Sequence, residues 1–344
     1  MSTAMQSRQI ELPNPTRATI SDSHTNITKL LPLVIDQHKG HCVLACGLGL
    51  SGKSLLMKRV VEMSVVQVPG QKRPGKAHLF HKKNQLPFVD ELDGLNPRSN
   101  EPRTVVVVDD AELIAERIEL FLPDWVNNFV SEGNYVIFAI DRGRRDEIEK
   151  LRRLCPSLEQ IVLSTVLRPF EMNVCFNSAC DTYNVIIPIP IRDSIMRLSS
   201  GHPYVFDWIL KHLILISRFN SRTNDTIEVT DDPEQLFMPP SISCAHSVTD
   251  KTPTQLAFLN QVIIPLSRAF SFSLTTEEKQ LLGEIAFNRN LADLRSVVSS
   301  LAAMLELDIV ESNFRDSLHP KLIHPLRLCL AANPIYVISC PPTS

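Results

Sequence analysis

The chain has 344 residues, a formal net charge of −3 and a pI near 6.4, with 44% hydrophobic and 21% charged residues. These values exclude a disordered or fibrous chain, and they exclude a global electrostatic attraction to nucleic acid or anionic membrane. At roughly 100 to 200 residues per domain the length predicts two or three domains. Glycine is scarce, 11 in all against an ordinary usage of about 7 per cent, yet Gly47, Gly49 and Gly52 fall almost together.

The first 26 residues are polar and read as a loose tail; they lack the apolar centre of a signal peptide, and Glu11 and Asp22 argue against a transit peptide. Residues 27–37 predict a helix with Leu30, Leu31, Val34 and Ile35 on one face. Gly40 ends it, 41–46 read as a short buried strand, and 54–63 as a helix. Residues 77–81 form a second expected strand, followed by a polar loop and the four-valine strand at 104–108. A helix over 111–122 precedes apolar strands at 135–140 and 161–164. Continuous β-branched runs separated by helices predict a parallel sheet covered on both faces.

Strands are expected to stop near residue 165. Residues 191–219 read as helical, interrupted at Gly201-His202-Pro203, and 220–255 as a linker or surface insertion rich in Ser, Thr, Asn, Asp and Pro. The rest is mostly helical. Thr275 and Glu278 fit a capping box, and Leu294, Val297, Val298, Leu301, Met304 and Leu305 make a helical stripe running into a strand at 307–311. Helix, short helix, helix, strand is the order of a small winged-helix domain over 256–344.

The eight cysteines at 42, 46, 155, 175, 180, 244, 329 and 340 include no C-x-x-C pair, so they read as reduced thiols in the cytoplasm or nucleus rather than a secreted disulfide framework. No run approaches the roughly 18 apolar residues of a membrane span.

Gly47-Leu48-Gly49-Leu50-Ser51-Gly52-Lys53-Ser54 matches G-x-x-x-x-G-K-[ST] without a mismatch. The glycines let the backbone curl so that successive N–H groups meet phosphate oxygens. The helix beginning near Lys53 aims its positive end, including the Leu55 N–H, at the same place. Lys53 reaches the β- and γ-phosphates, and the Ser54 hydroxyl takes a position on Mg²⁺. Four fixed positions recur by accident in about one such chain in a hundred at average residue usage, and this match lies between an expected strand and an expected helix.

The valine strand runs into Asp109-Asp110. A carboxylate at the C-terminal end of a parallel strand beside a phosphate loop can hold Mg²⁺, and a second can orient or deprotonate water. Asp109 is assigned to the metal and Asp110 to the water, a role compatible with capping the helix that follows. The next strand ends in Asp141-Arg142. Arg142 can report the γ-phosphate, or simply open a charged surface helix.

With these residues in place, the chain resembles the ASCE class of P-loop ATPases, and within it the STAND and archaeal-type ATPases related to AAA+ proteins. The phosphate loop, the VVVVDD strand at 105–110, the Leu167-Arg168-Pro169-Phe170 turn and Gly201-His202-Pro203 carry the resemblance. It implies a P-loop core over 27–190, a helical lid over 191–219 whose Pro203 lies against nucleotide, and a winged helix that ends near Leu318-His319-Pro320. It also implies ATP or ADP with Mg²⁺ as ligands, and a protein partner or self-association. The Asp-Asp pair departs from the Asp-Glu of AAA+ motors and suits slow hydrolysis driving a conformational switch. Two alternatives stand beside it. One is a replication-initiator-like ATPase with its winged helix on DNA, disfavoured because the 294–305 helix offers only Arg295 as an outward base. The other is a non-hydrolysing, nucleotide-bound scaffold.

Overall fold

Apolar runs too continuous to leave one face wet become central strands here, and helices cover both faces. The computed structural model describes residues 25–35, 40–65, 76–80, 104–111, 122–164, 166–199, 201–221, 226–237, 252–279, 310–311 and 321–322. The first half runs α1 (Thr25–Ile35), β1 (His41–Gly47), α2 (Lys53–Ser64), β2 (Lys76–Phe80), β3 (Thr104–Val108), α3 (Leu122–Ser131), β4 (Tyr135–Asp141), α4 (Arg145–Leu154) and β5 (Leu158–Val162). Its five strands form one parallel sheet in the order β2-β3-β4-β1-β5. The fold is therefore α/β, a parallel sheet sandwiched by helices.

The period-two alternation of a strand divides the core into two layers. Val43, Ala45, Val105, Val107, Ile137 and Ala139 face α1 and α2. Cys42, Leu44, Val106, Val136, Phe138 and Ile140 face Trp125, Val126 and Phe129 of α3 and Ile148 and Leu151 of α4. The buried side chain of Asn134 ties two layers of connection together: its Oδ1 accepts from the Thr104 backbone N–H at 2.9 Å and its Nδ2 donates to the Phe129 carbonyl at 3.0 Å.

The second half runs α5 (Pro169–Tyr183), β6 (Val185–Ile186), α6 (Ile189–Ser199), α7 (Pro203–Asn220), β7 (Ile227–Glu228), α8 (Pro233–Phe237) and α9 (Pro253–Phe258). A five-residue π-helical segment (Leu259–Ile263) joins α9 to α10 (Ile264–Ser273). These helices share an apolar cluster that includes Phe176, Phe206, Trp208, Phe258, Leu266 and Phe270. The π segment turns Gln261 toward α7, where its carbonyl accepts from Tyr204 at 2.5 Å and its side chain from Trp208 Nε1 at 3.0 Å.

Several elements differ from the sequence reading. β5 begins three residues earlier than 161–164, since an edge strand tolerates the exposed Glu159 and Gln160 that hid it. Strands continue past 165, with β6 and β7 pairing in parallel over two residues each, too few for a periodic signal. The turn at 167–170 proves to be the start of a fifteen-residue helix, with Pro169 in its first turn and Glu171 accepting the Arg168 N–H. Within 220–255, Ile227, Val229 and Phe237 are buried in the apolar cluster. The capping box forms as expected: Glu278 Oε2 accepts from the Thr275 N–H at 2.8 Å and Thr275 Oγ1 from the Glu278 N–H at 3.0 Å. Most of the helix expected over 111–122, the 294–305 stripe and the 318–320 ending lie outside the described residues. A two-residue antiparallel pair, β8 (Val310–Glu311) with β9 (Lys321–Leu322), is described there. Among the described residues no helix is long and apolar enough to cross a membrane.

Candidate functional site

The glycine-rich segment sits at the C-terminal end of β1, where the chain turns into α2. Leu50 (φ +62°) and Gly52 (φ +83°) adopt the left-handed conformation, which curls the segment back on itself. Ser51 closes the turn by donating from both its N–H and its hydroxyl to the Leu48 carbonyl, at 3.4 and 2.8 Å. The buried Leu48 side chain belongs to the apolar cluster of the second half, so the loop is bolted between the sheet and those helices.

α2 makes its first helical bond from the Leu56 N–H to the Gly52 carbonyl at 3.0 Å. The N–H groups of Lys53, Ser54 and Leu55 therefore have no acceptor within the helix. Gly52 has no side chain with which to cap them. A Cβ added to Gly52 would meet nothing nearer than Pro203 Cβ at 4.0 Å. The donor set of a phosphate cradle is thus present: a curled backbone, uncapped helix N–H groups and the Lys53 ammonium. Ser54 is exposed on the first turn of α2, and Leu55 is half-buried behind it.

Lys53 Nζ donates to the Leu48 carbonyl at 2.7 Å and the Gly47 carbonyl at 3.3 Å, and stands 3.6 Å from Asp141 Oδ2. The strand order explains this partner. β4 lies between β3 and β1, and Asp141 is the register partner of Gly47. The acidic strand is therefore not the neighbour of the loop strand, and the carboxylate beside Lys53 comes from β4. Sequence reasoning noted Asp141 but gave it no role.

Asp109 and Asp110 extend β3 at the same rim of the sheet. Val108 is level with Phe138, and Phe138 with Leu44. The Asp109 N–H donates to the Phe80 carbonyl at 2.9 Å, and its side chain is buried, only 4% exposed. Asp110 is half-buried in a left-handed turn (φ +53°) held by the Ala111 N–H donating to the Ala139 carbonyl at 2.9 Å. The Arg142 N–H donates to the Gly47 carbonyl at 3.0 Å, while its side chain is held elsewhere. It forms a two-pronged ion pair with Glu278, at 2.8 and 2.6 Å, and the Glu278 side chain is almost wholly enclosed.

Ser273, at the end of α10, was not foreseen. Its hydroxyl donates to Asp141 Oδ1 at 2.7 Å and accepts from the Gly49 N–H at 3.4 Å. No local pattern marks such a residue, since its partners lie more than two hundred and more than one hundred positions away. Phe272 beside it lies under the Arg144 guanidinium, 5.1 Å from the ring centre.

The Gly201-His202-Pro203 turn reaches the site from α7. Gly201 is left-handed (φ +76°) and its carbonyl accepts from the Leu167 N–H at 2.7 Å, joining the two motifs that flank α5 and α6. His202 is completely buried, and burial pushes its pKa down to about 3, so it is neutral. Beneath the loop, burial pushes the Cys46 thiol up to about 12 against the opposing pull of Arg152, Lys53 and Arg142. A thiolate nucleophile there is excluded at neutral pH.

No protein-family model and no curated protein matches the chain. Among solved structures, the chain is similar to a RuvB mutant from Thermotoga maritima (12% identity, 88% of each chain, TM-score 0.41). It is also similar to a Walker-type ATPase of Pyrococcus abyssi (11% identity, 84% of this chain and 90% of that one, TM-score 0.45). Domain III of the Thermotoga maritima replication initiation protein DnaA is a third (13% identity, 55% of this chain and 80% of that one, TM-score 0.40).

Proposed function

We propose that the chain binds ATP or ADP with Mg²⁺ at residues 47–55 and hydrolyses ATP slowly, using the bound state to switch contacts between the sheet, the helices around α7 and the C-terminal region. One observation carries the reading: a complete phosphate-loop motif at a strand-to-helix junction whose first helix N–H groups have no side-chain cap. An anion at that position satisfies those donors and meets the positive end of α2.

In this reading Gly47, Leu48, Gly49, Leu50, Ser51 and Gly52 supply backbone N–H groups, and Lys53 contributes its ammonium. Pro203 closes the side of the site toward α7. Ser54 and Asp109 hold Mg²⁺, which when bound offsets the negative charge of the terminal phosphates. Asp110 orients the attacking water, its left-handed backbone fixing the carboxylate at the rim of the sheet. Arg142 contacts the terminal phosphate once it has left Glu278. The domain division follows the same lines: a core over 27–190, a lid over 191–219, a connecting segment over 220–255 and a C-terminal winged-helix unit over 256–344, with a protein partner or second copy acting on the switch.

Titration calorimetry with MgATP tests the reading. Wild type is expected to bind, Lys53→Ala to lose at least about tenfold in affinity, and Asp110→Ala to bind normally while losing phosphate release. Equal ATP affinity in wild type and Lys53→Ala would overturn it.

A further inference from the structure

The two groups a phosphate would need most, the Lys53 ammonium and the Gly49 N–H, are both engaged by side-chain oxygens from elsewhere in the chain. Asp141 Oδ2 is 3.6 Å from Lys53 Nζ, and Ser273 Oγ takes the Gly49 N–H at 3.4 Å. The two side chains are joined to each other: the Ser273 hydroxyl donates to Asp141 Oδ1 at 2.7 Å, and the Gly143 N–H donates to the same oxygen at 2.9 Å. A hydroxyl can donate and accept at once, which lets Ser273 bridge a carboxylate and a backbone amide.

The next residue repeats the connection. Arg142 holds Glu278, five positions beyond Ser273, through two short bonds of 2.6 and 2.8 Å. The contact surface between the two segments is close. A Cβ on Gly49 would come within 2.9 Å of Ala269 Cβ, and one on Gly143 within 2.6 Å of the Phe272 ring. Residues 141–144 and 269–278 are thus fastened together across the mouth of the phosphate loop.

We propose that Asp141 and Ser273 form a latch that competes with nucleotide phosphate for the loop, so that filling the loop releases residues 275–279. The proposal rests on the nucleotide reading of residues 47–54. A phosphate beside Lys53 places an anion next to Asp141, and two anions held by one ammonium repel each other. The same phosphate attracts Arg142 away from Glu278. Both halves of the fastening therefore weaken together. The latch makes apparent affinity lower than the cradle alone would give, because part of the binding free energy goes into opening it.

The test uses the full-length chain, with MgADP to read affinity and a non-hydrolysable MgATP analogue, which carries the γ-phosphate that Arg142 is to meet, to read hydrogen exchange. Asp141→Asn keeps the size and the hydrogen bonds but removes the competing charge; Ser273→Ala removes only the hydroxyl bridge. Folding of each variant is checked by circular dichroism. Either variant that folds is expected to bind MgADP about 5- to 30-fold more tightly than wild type, within the usual range of coupling between sites. Adding the non-hydrolysable MgATP analogue to wild type is expected to speed hydrogen exchange at the amides of residues 275–279. A gain in affinity together with faster exchange supports the latch. Unchanged or weaker affinity in both folded variants, with wild-type binding intact, overturns the latch alone, as does unchanged or slower exchange at 275–279. Absence of binding in every protein overturns the nucleotide reading itself, and the latch with it.

Discussion

Glu278 does two jobs that a pair of substitutions can separate. Its carboxylate caps the turn at Thr275, 2.8 Å from that N–H, and pairs with Arg142, whose side chain is 22% exposed while that of Glu278 is 3% exposed. Glu278→Ala removes both functions. Losing one partner of a largely buried pair costs about 3 kcal/mol, and losing the cap about 1 kcal/mol more. Glu278→Gln retains an oxygen for the Thr275 N–H and loses the charge, so its cost falls between these. A double-mutant cycle with Arg142→Met isolates the pair itself. Urea unfolding followed by circular dichroism gives the four stabilities, and a coupling of about 1 to 3 kcal/mol is expected for a two-pronged contact of this enclosure. Coupling below about 0.5 kcal/mol, the scatter found for independent sites, would refute the assignment of Glu278 as the partner that holds Arg142.

Two further expectations follow from backbone and burial. Gly201→Ala and Gly52→Ala impose the same left-handed strain of about 1 kcal/mol, but only at Gly201 does the new Cβ strike backbone, 2.2 Å from the Leu167 carbonyl, so thermal melting is expected to fall much further for Gly201→Ala than for Gly52→Ala. Equal losses would show that the clash is absorbed. His202 takes up its proton near pH 6.5 when unfolded and only near pH 3 when folded. Its contribution is therefore complete above pH 6.5 and declines as pH falls toward 3, by about 2 kcal/mol at pH 5. His202→Leu is expected to flatten the stability curve between pH 6.5 and 5; an unchanged slope in unfolding measurements would contradict the buried neutral state. His78 and His212, both pushed down by burial, add to the slope in the same direction.

What could be read from the sequence was what local chemistry encodes. The loop at 47–54 announced itself because a tight backbone curl demands glycine, and the capping box at 275–278 because hydroxyl and carboxylate three residues apart can exchange bonds with backbone N–H groups. The three central strands, β1, β3 and β4, were visible because both faces are buried. What was hidden depends on strand order. Nothing local says that β4 slips between β3 and β1, yet that order brings Asp141, rather than the acidic pair, beside Lys53. Ser273 was hidden for the same reason, as one serine in a segment with several, distinguished only by where α10 ends. The helix over 169–183 was missed because exposed Phe170 and Val174 blur the stripe that Met172, Cys175, Phe176, Ala179 and Tyr183 make on its buried face.

The route by which a filled loop could reach the C-terminal region is narrow. Leu48 and the π segment of Gln261 fasten α10 to α7 and its neighbours, so α10 is poorly placed to move by itself. Its direction changes at Leu274, where the backbone becomes extended (φ −93°, ψ 146°). The Ser273 hydroxyl can leave Asp141 by turning about its own side-chain bond, and Thr275 to Lys279 can then swing on Leu274 without unwinding α10. Two-state behaviour needs discrete alternative partners, and in the proposed nucleotide reading Arg142 has them in Glu278 and a terminal phosphate. The exchange experiment therefore carries its own control: on addition of the non-hydrolysable MgATP analogue the amides of 275–279 are expected to lose protection while those of 264–272 keep it. Loss of protection along the whole of α10 would mean that the helix undocks as a body, and the hinge at Leu274 would have to be abandoned.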